Sequence, residues 1–148
     1  MKKYLLLSVF VLFMFSGTLG FAKDYKDAEP VLKELILSLE KFVGGLEKAE
    51  TAPAIAAALT EYTKAMNGFA LRFKKIIKKY PELSDEKTHP ESLKPLTLKM
   101  EEITKKLFKV FGKITANVSD PEVKAALDEM NKASAKMHGD ENEEGEEK

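Results

Sequence analysis

TAPAIAAALTEYTKAMNGFALRFKKIIKKYP, residues 51–81, holds the longest unbroken pattern in the chain. Its large apolar residues are Ile55, Leu59, Tyr62, Met66, Phe69, Phe73, Ile76 and Tyr80, separated by steps of three and four. Such steps bring each side chain back to one stripe of an α-helix, whereas a half-buried strand would need alternation with period two. Thr51 can cap this helix, with Pro53 in its first turn, where a missing N–H is harmless. Tyr80-Pro81 ends it, because the residue before a proline is pushed out of the helical region.

The same spacing recurs on both sides. Upstream stand Leu32, Leu35, Leu39, Phe42 and Leu46; downstream stand Leu93, Leu96, Met100, Ile103, Leu107, Val110 and Ile114. A fourth, shorter set is Val123, Leu127, Met130, Ser134 and Met137, opened by Ser119-Asp-Pro-Glu122 as a capping box. Pro81 to Pro90 brackets a polar loop, Pro95 belongs to the start of the third helix, and the other junctions are short, which favours antiparallel neighbours. Gly44-Gly45 weakens the end of the first helix, by about 1 kcal/mol per glycine relative to Ala. The expected architecture is all-α: an antiparallel up-down-up-down four-helix bundle over residues 23–139.

A shift of 68 residues lays Thr51-Ala-Pro-Ala-Ile-Ala-Ala-Ala-Leu-Thr-Glu on Ser119-Asp-Pro-Glu-Val-Lys-Ala-Ala-Leu-Asp-Glu. It also carries Leu32, Leu35, Leu39, Phe42 and Leu46 onto Met100, Ile103, Leu107, Val110 and Ile114. The chain therefore reads either as two copies of one helical hairpin or as four helices whose caps and stripes agree for physical reasons alone.

Residues 1–22 read as a secretory leader. Lys2 and Lys3 form its basic end, residues 4–15 its apolar run, and Gly20-Phe21-Ala22 a small-x-small cleavage site, with cleavage expected after Ala22. The rival is an uncleaved anchor, since residues 4–22 approach the length needed to span a bilayer. Export places the protein in the periplasm or outside the cell. The 148 residues contain no Cys, so neither a disulfide framework nor a thiol nucleophile is available. The 24 basic and 24 acidic residues are unevenly placed: residues 140–148 hold six acids and one base and read as a disordered acidic tail. Residues 23–139 then carry three more basic than acidic residues.

The fourth helix is expected to be much shorter than the second, which leaves Phe73, Ile76 and Tyr80 without a counterpart at one pole of the bundle. Phe69, Phe73, Ile76, Tyr80, Leu93, Leu96 and Met137 can line an apolar pocket there. Alternatively, Tyr25 and the rest of the N-terminal segment fill the gap. His89, Met137 and His138 are candidate metal ligands by chemistry. No Glu-x-x-His pair of the kind that holds metals inside helical bundles occurs. Arg72, Lys75 and Lys79, with Lys74 and Lys78, form a basic patch that suits anionic lipid or a solvated face. Nucleic acid is not expected as a partner, and membrane association is expected only if the leader stays uncleaved.

Glu47-Lys48-Ala49-Glu50-Thr51, followed by Ile55 and Ala58-Leu59, resembles the periplasmic cytochrome b562 family of secreted four-helix bundles. The resemblance covers the first two helices, and the remainder through size and architecture. It implies the fold and the compartment, and a haem held by a Met in the first helix and a His near the end of the last. In this sequence the Met position falls at Ile36, and the His corresponds to His138. The leading expectation is an exported, non-enzymatic bundle that binds a small apolar ligand or a protein at its open pole, as monomer or homodimer, with no cofactor. A haem b electron carrier using His138, and a metal-binding protein using the His/Met cluster and acidic tail, are the alternatives. No nucleophile–base pair suggests an enzyme.

Overall fold

In a computed structural model, residues 24–84 and 90–138 are described, and among them lie four α-helices and no strand. These are α1 (Ala28–Lys48), α2 (Ala52–Lys79), α3 (Lys94–Ala116) and α4 (Pro121–His138), with 3-10 turns at Pro81–Ser84 and Glu91–Leu93 between α2 and α3. The leader, His89 and the acidic tail lie outside the described residues.

The boundaries follow local chemistry. The Thr51 hydroxyl accepts the Ala54 N–H at 3.4 Å, with Pro53 in the first turn of α2. Pro95 occupies the equivalent place in α3. For α4 the expected Ser119–Glu122 box is replaced by Asp120, whose Oδ1 accepts from the backbone of Glu122 at 2.9 Å and Val123 at 3.3 Å. Pro121 fixes the first helical residue, so the residue just before it becomes the cap, and a carboxylate suits that position.

The stripes are the core. Leu35, Leu46, Ile55, Leu59, Met66, Phe69, Ile114, Val123 and Met130 are the largest of the side chains that are almost wholly buried. Buried Ser38 and Thr63 are satisfied within their own helices, donating to Glu34 O and Leu59 O at 2.8 Å each. At 28 residues, α2 spans about 42 Å, while the 18 residues of α4 span about 27 Å.

Contacts along α1 and α2 pair Glu34 with Arg72, Phe42 with Tyr62, and Gly45 with Ala58, so these two helices run antiparallel. A Cβ on Gly45 would lie 3.2 Å from the Ala58 Cβ. The glycine that looks like a weakness in sequence is therefore what lets the two backbones approach. α4 packs along α2, and α3 packs along α1. Lys99 pairs with Glu40, and Lys113 with the end of α1, so α3 runs in the same direction as α1. That direction is the one an up-down-up-down order requires of its first and third helices. The long 81–93 connection lets α3 settle beside α1 rather than beside α2. The two hairpins are thus packed differently, since α1 and α2 lie against each other while α3 and α4 mainly hold the flanks.

Lys113 ties α3 to α1. Its ammonium donates to the carbonyls of Leu46, Glu47 and Ala49 at 2.8–2.9 Å, at the end of α1 where the last turn runs short of amide donors. Lys113→Met keeps the aliphatic stem and removes those bonds, and it is expected to cost about 1–3 kcal/mol. Chemical denaturation measures this, and Lys113→Arg should recover part of the loss.

Candidate functional site

The pole where a pocket was expected is filled. Phe69, Phe73, Ile76, Tyr80, Leu93 and Met137 are all buried, and Leu96 packs half-buried against them. The occupant is Tyr25, only 5% exposed, whose ring lies 5.0 Å from that of Tyr80 at a tilt of 47°. The Tyr25 hydroxyl donates to Glu82 at 3.0 Å, and its carbonyl accepts the first amides of α1 from Ala28 and Glu29. Burial, reinforced by the Glu82 carboxylate, pushes the Tyr25 phenol up to about 12. The Tyr80 hydroxyl donates its one proton to the Asp27 carboxylate, which also takes the Lys79 ammonium, and shares it with the Asp24 carbonyl oxygen 3.1 Å away. Lys79 first, then Tyr80, holds the Asp27 carboxyl below its ordinary value. The N-terminal segment is a clasp over the short end of the bundle; six of the seven residues named for the pocket are core, and Leu96 packs against it.

The basic patch is divided by the same packing. Arg72 reaches Glu34 at 2.7 Å and Lys79 reaches Asp27, so both serve as struts between α1 and α2. Lys75 remains exposed, as Lys74 and Lys78 do. Of the proposed metal ligands, Met137 is buried in the core, His89 lies outside the described residues, and His138 ends α4 with its side chain likewise outside them. Among the described residues no group of three or more His, Cys, Asp or Glu is placed to hold a metal. Ile36, where the b562 resemblance calls for a Met, is buried at 3% and has no donor atom.

The structure opens a different site, on the outer seam of α1 and α2. A groove of about 420 Å³ is lined by Glu34, Leu37, Ser38, Lys41, Phe42 and Gly45 from α1, and by Ala58, Glu61, Tyr62 and Ala65 from α2. Gly45, Ala58 and Ala65 carry too little side chain to fill the seam, and that deficit makes the hollow. Phe42 and Tyr62 lie beneath it, stacked with ring centroids 4.6 Å apart and planes within 14°. Leu37 stands at the lip, 51% exposed. Glu34 is already committed to Arg72, which leaves Lys41 and Glu61 as the rim charges outside any ion pair among the described residues.

No protein family, curated protein or solved structure matches the chain. The groove's own chemistry therefore carries the functional reading. An apolar floor, small walls, an exposed Leu and a rim of opposite charges suit a compact molecule that is mostly apolar and carries one polar group. Beside it, the Tyr62 hydroxyl is buried without a hydrogen-bond partner, and burial drives the phenol far above its ordinary pKa. Sequence pattern missed this groove. Its signals were Leu37, an apolar residue off the α1 stripe, and small residues that a hydrophobic reading passes over.

Proposed function

We propose that the chain is an exported, non-enzymatic helical-bundle binding protein that holds a small amphipathic ligand in the α1–α2 groove. The observation that carries this reading is the 420 Å³ hollow over the Phe42–Tyr62 stack, with Leu37 left in water at its lip. Its volume lies within the range of small-molecule sites, about 300–1,000 Å³. The leader pattern at residues 1–22 supports the export part of the reading, and the burial of the pole residues favours the groove over the pole.

Titration with 1-anilinonaphthalene-8-sulfonate supplies an apolar ring system for the floor and one anion for Lys41. A saturable rise in its fluorescence is expected. Ala65→Trp, which fills the groove from α2, should abolish it, and Leu37→Glu should weaken it. Undiminished binding by Ala65→Trp, in protein of unchanged helicity, would overturn the proposal. Tyr62→Phe removes an unpaired buried hydroxyl and is expected to stabilise the free protein by about 1 kcal/mol. Thermal unfolding checks this, and a loss of stability would mean that the hydroxyl has a partner in solution.

A further inference from the structure

A second surface stands apart from the groove, on α3. We infer that the outward face of α3 is a docking surface for an anionic lipid bilayer, on which the helix lies flat. The buried stripe Met100, Ile103, Leu107, Val110 and Ile114 takes up the inner side of this helix. On the outer side Leu98 and Phe108 are 55% and 56% exposed, two of the four large apolar side chains left in water among the described residues. At 100° per residue they fall within an arc of about 80°, with Lys94, Glu101 and Lys105 between them and Lys109 just beyond its edge.

The charge on α3 matches the apolar exposure. Lys94, Lys99, Lys105, Lys106, Lys109 and Lys113 face only Glu101 and Glu102. Lys99 is held by Glu40, Lys113 by the end of α1, and Lys94 by Glu91 at 3.4 Å. Lys105, Lys106 and Lys109 make no ion pair among the described residues, although Glu101 and Glu102 stand one turn before the first two. A water-soluble polyanion would take these lysines and leave Leu98 and Phe108 in water. A second copy would set one lysine-rich face against another. A bilayer satisfies both features, with headgroup charge for the lysines and an acyl boundary for the apolar pair. No helix among the described residues is long and apolar enough to cross a membrane, so the contact is peripheral.

The test is co-sedimentation of the chain lacking residues 1–22 with vesicles of phosphatidylcholine, alone or mixed with phosphatidylglycerol. Binding is expected to the mixed vesicles only, and to weaken with salt. Leu98→Glu with Phe108→Glu, at half-exposed positions that circular dichroism should show still helical, is expected to cut partitioning at least about tenfold. Lys105→Gln, Lys106→Gln and Lys109→Gln combined should do the same. Leu71→Glu, at the 76% exposed Leu on α2, should leave binding intact. Equal binding to both vesicle types, an equal loss from Leu71→Glu, or an unaffected double variant would overturn the inference. So would a dimer in sedimentation velocity that the double variant dissolves while vesicles are never bound. Dye binding in the groove does not depend on any of these residues, so the two proposals fail separately.

Discussion

Phe69→Ala is expected to cost about 3–5 kcal/mol of folding stability, the largest loss from any single truncation proposed for this chain. Phe69 has no measurable exposure and sits on α2, the helix that packs against both α1 and α4. Removing its ring therefore opens a hole in the core, with no loop close enough in sequence to collapse into it. Leu71, two residues along the same helix, is 76% exposed, and Leu71→Ala should fall within about 0.5 kcal/mol of the parent. Urea denaturation of the two variants side by side reads this contrast directly. Similar stabilities would mean that the apolar stripe of α2 does not face the interior.

The contrast between Phe69 and Leu71 is legible in sequence because a helix repeats itself every 3.6 residues, so spacing alone separates an inward residue from an outward one. The stripes of all four helices, their rough ends and the brevity of α4 follow from that periodicity and from Thr51, Pro53, Pro81 and Pro121. What spacing cannot say is which helix another helix faces. Placing α3 beside α1 depends on Lys99 reaching Glu40 and Lys113 reaching the α1 carbonyls. Charged residues of this kind are common on every outer face, so nothing marks these two in advance. The cap of α4 slipped from Ser119 to Asp120 for a related reason, since adjacent residues of equal capping ability differ only in geometry.

The candidate site was hidden by the same logic inverted. A reading built on large apolar residues finds where side chains pile up, and it left Phe69, Phe73, Ile76 and Tyr80 either lining a pocket or covered by Tyr25; they are core, with Tyr25 packed on Tyr80. The groove exists where side chains are missing, at Gly45, Ala58 and Ala65, and such residues leave no periodic trace. Gly45 illustrates the point: the feature that costs helix propensity is the one that lets α1 approach so closely that a Cβ there would lie 3.2 Å from the Ala58 Cβ.

Tyr25→Ala gives the second large effect, and it converts the filled pole back into a cavity. The ring is buried against Tyr80 and bonded to Glu82, so its loss should destabilise the protein by about 3 kcal/mol. The space left is shaped for a phenol and edged by an acceptor, so p-cresol added to Tyr25→Ala is expected to restore part of the stability. The parent should show no such response, because a ligand stabilises only when it binds the folded state preferentially. The clasp also sets a pH dependence. The Tyr25 phenol titrates near 10 when unfolded and near 12 when folded, so its contribution is intact below pH 10 and is lost as pH rises from 10 towards 12. The Asp27 carboxyl is depressed, so its contribution is present above its unfolded value near 3.8 and disappears as pH falls through the lower folded value. Tyr25→Phe should flatten much of the alkaline slope in unfolding curves while leaving the acid limb in place. Tyr62 is buried elsewhere and retains its own alkaline contribution. A steep, unchanged decline above pH 10 in Tyr25→Phe would show that the clasp does not govern it.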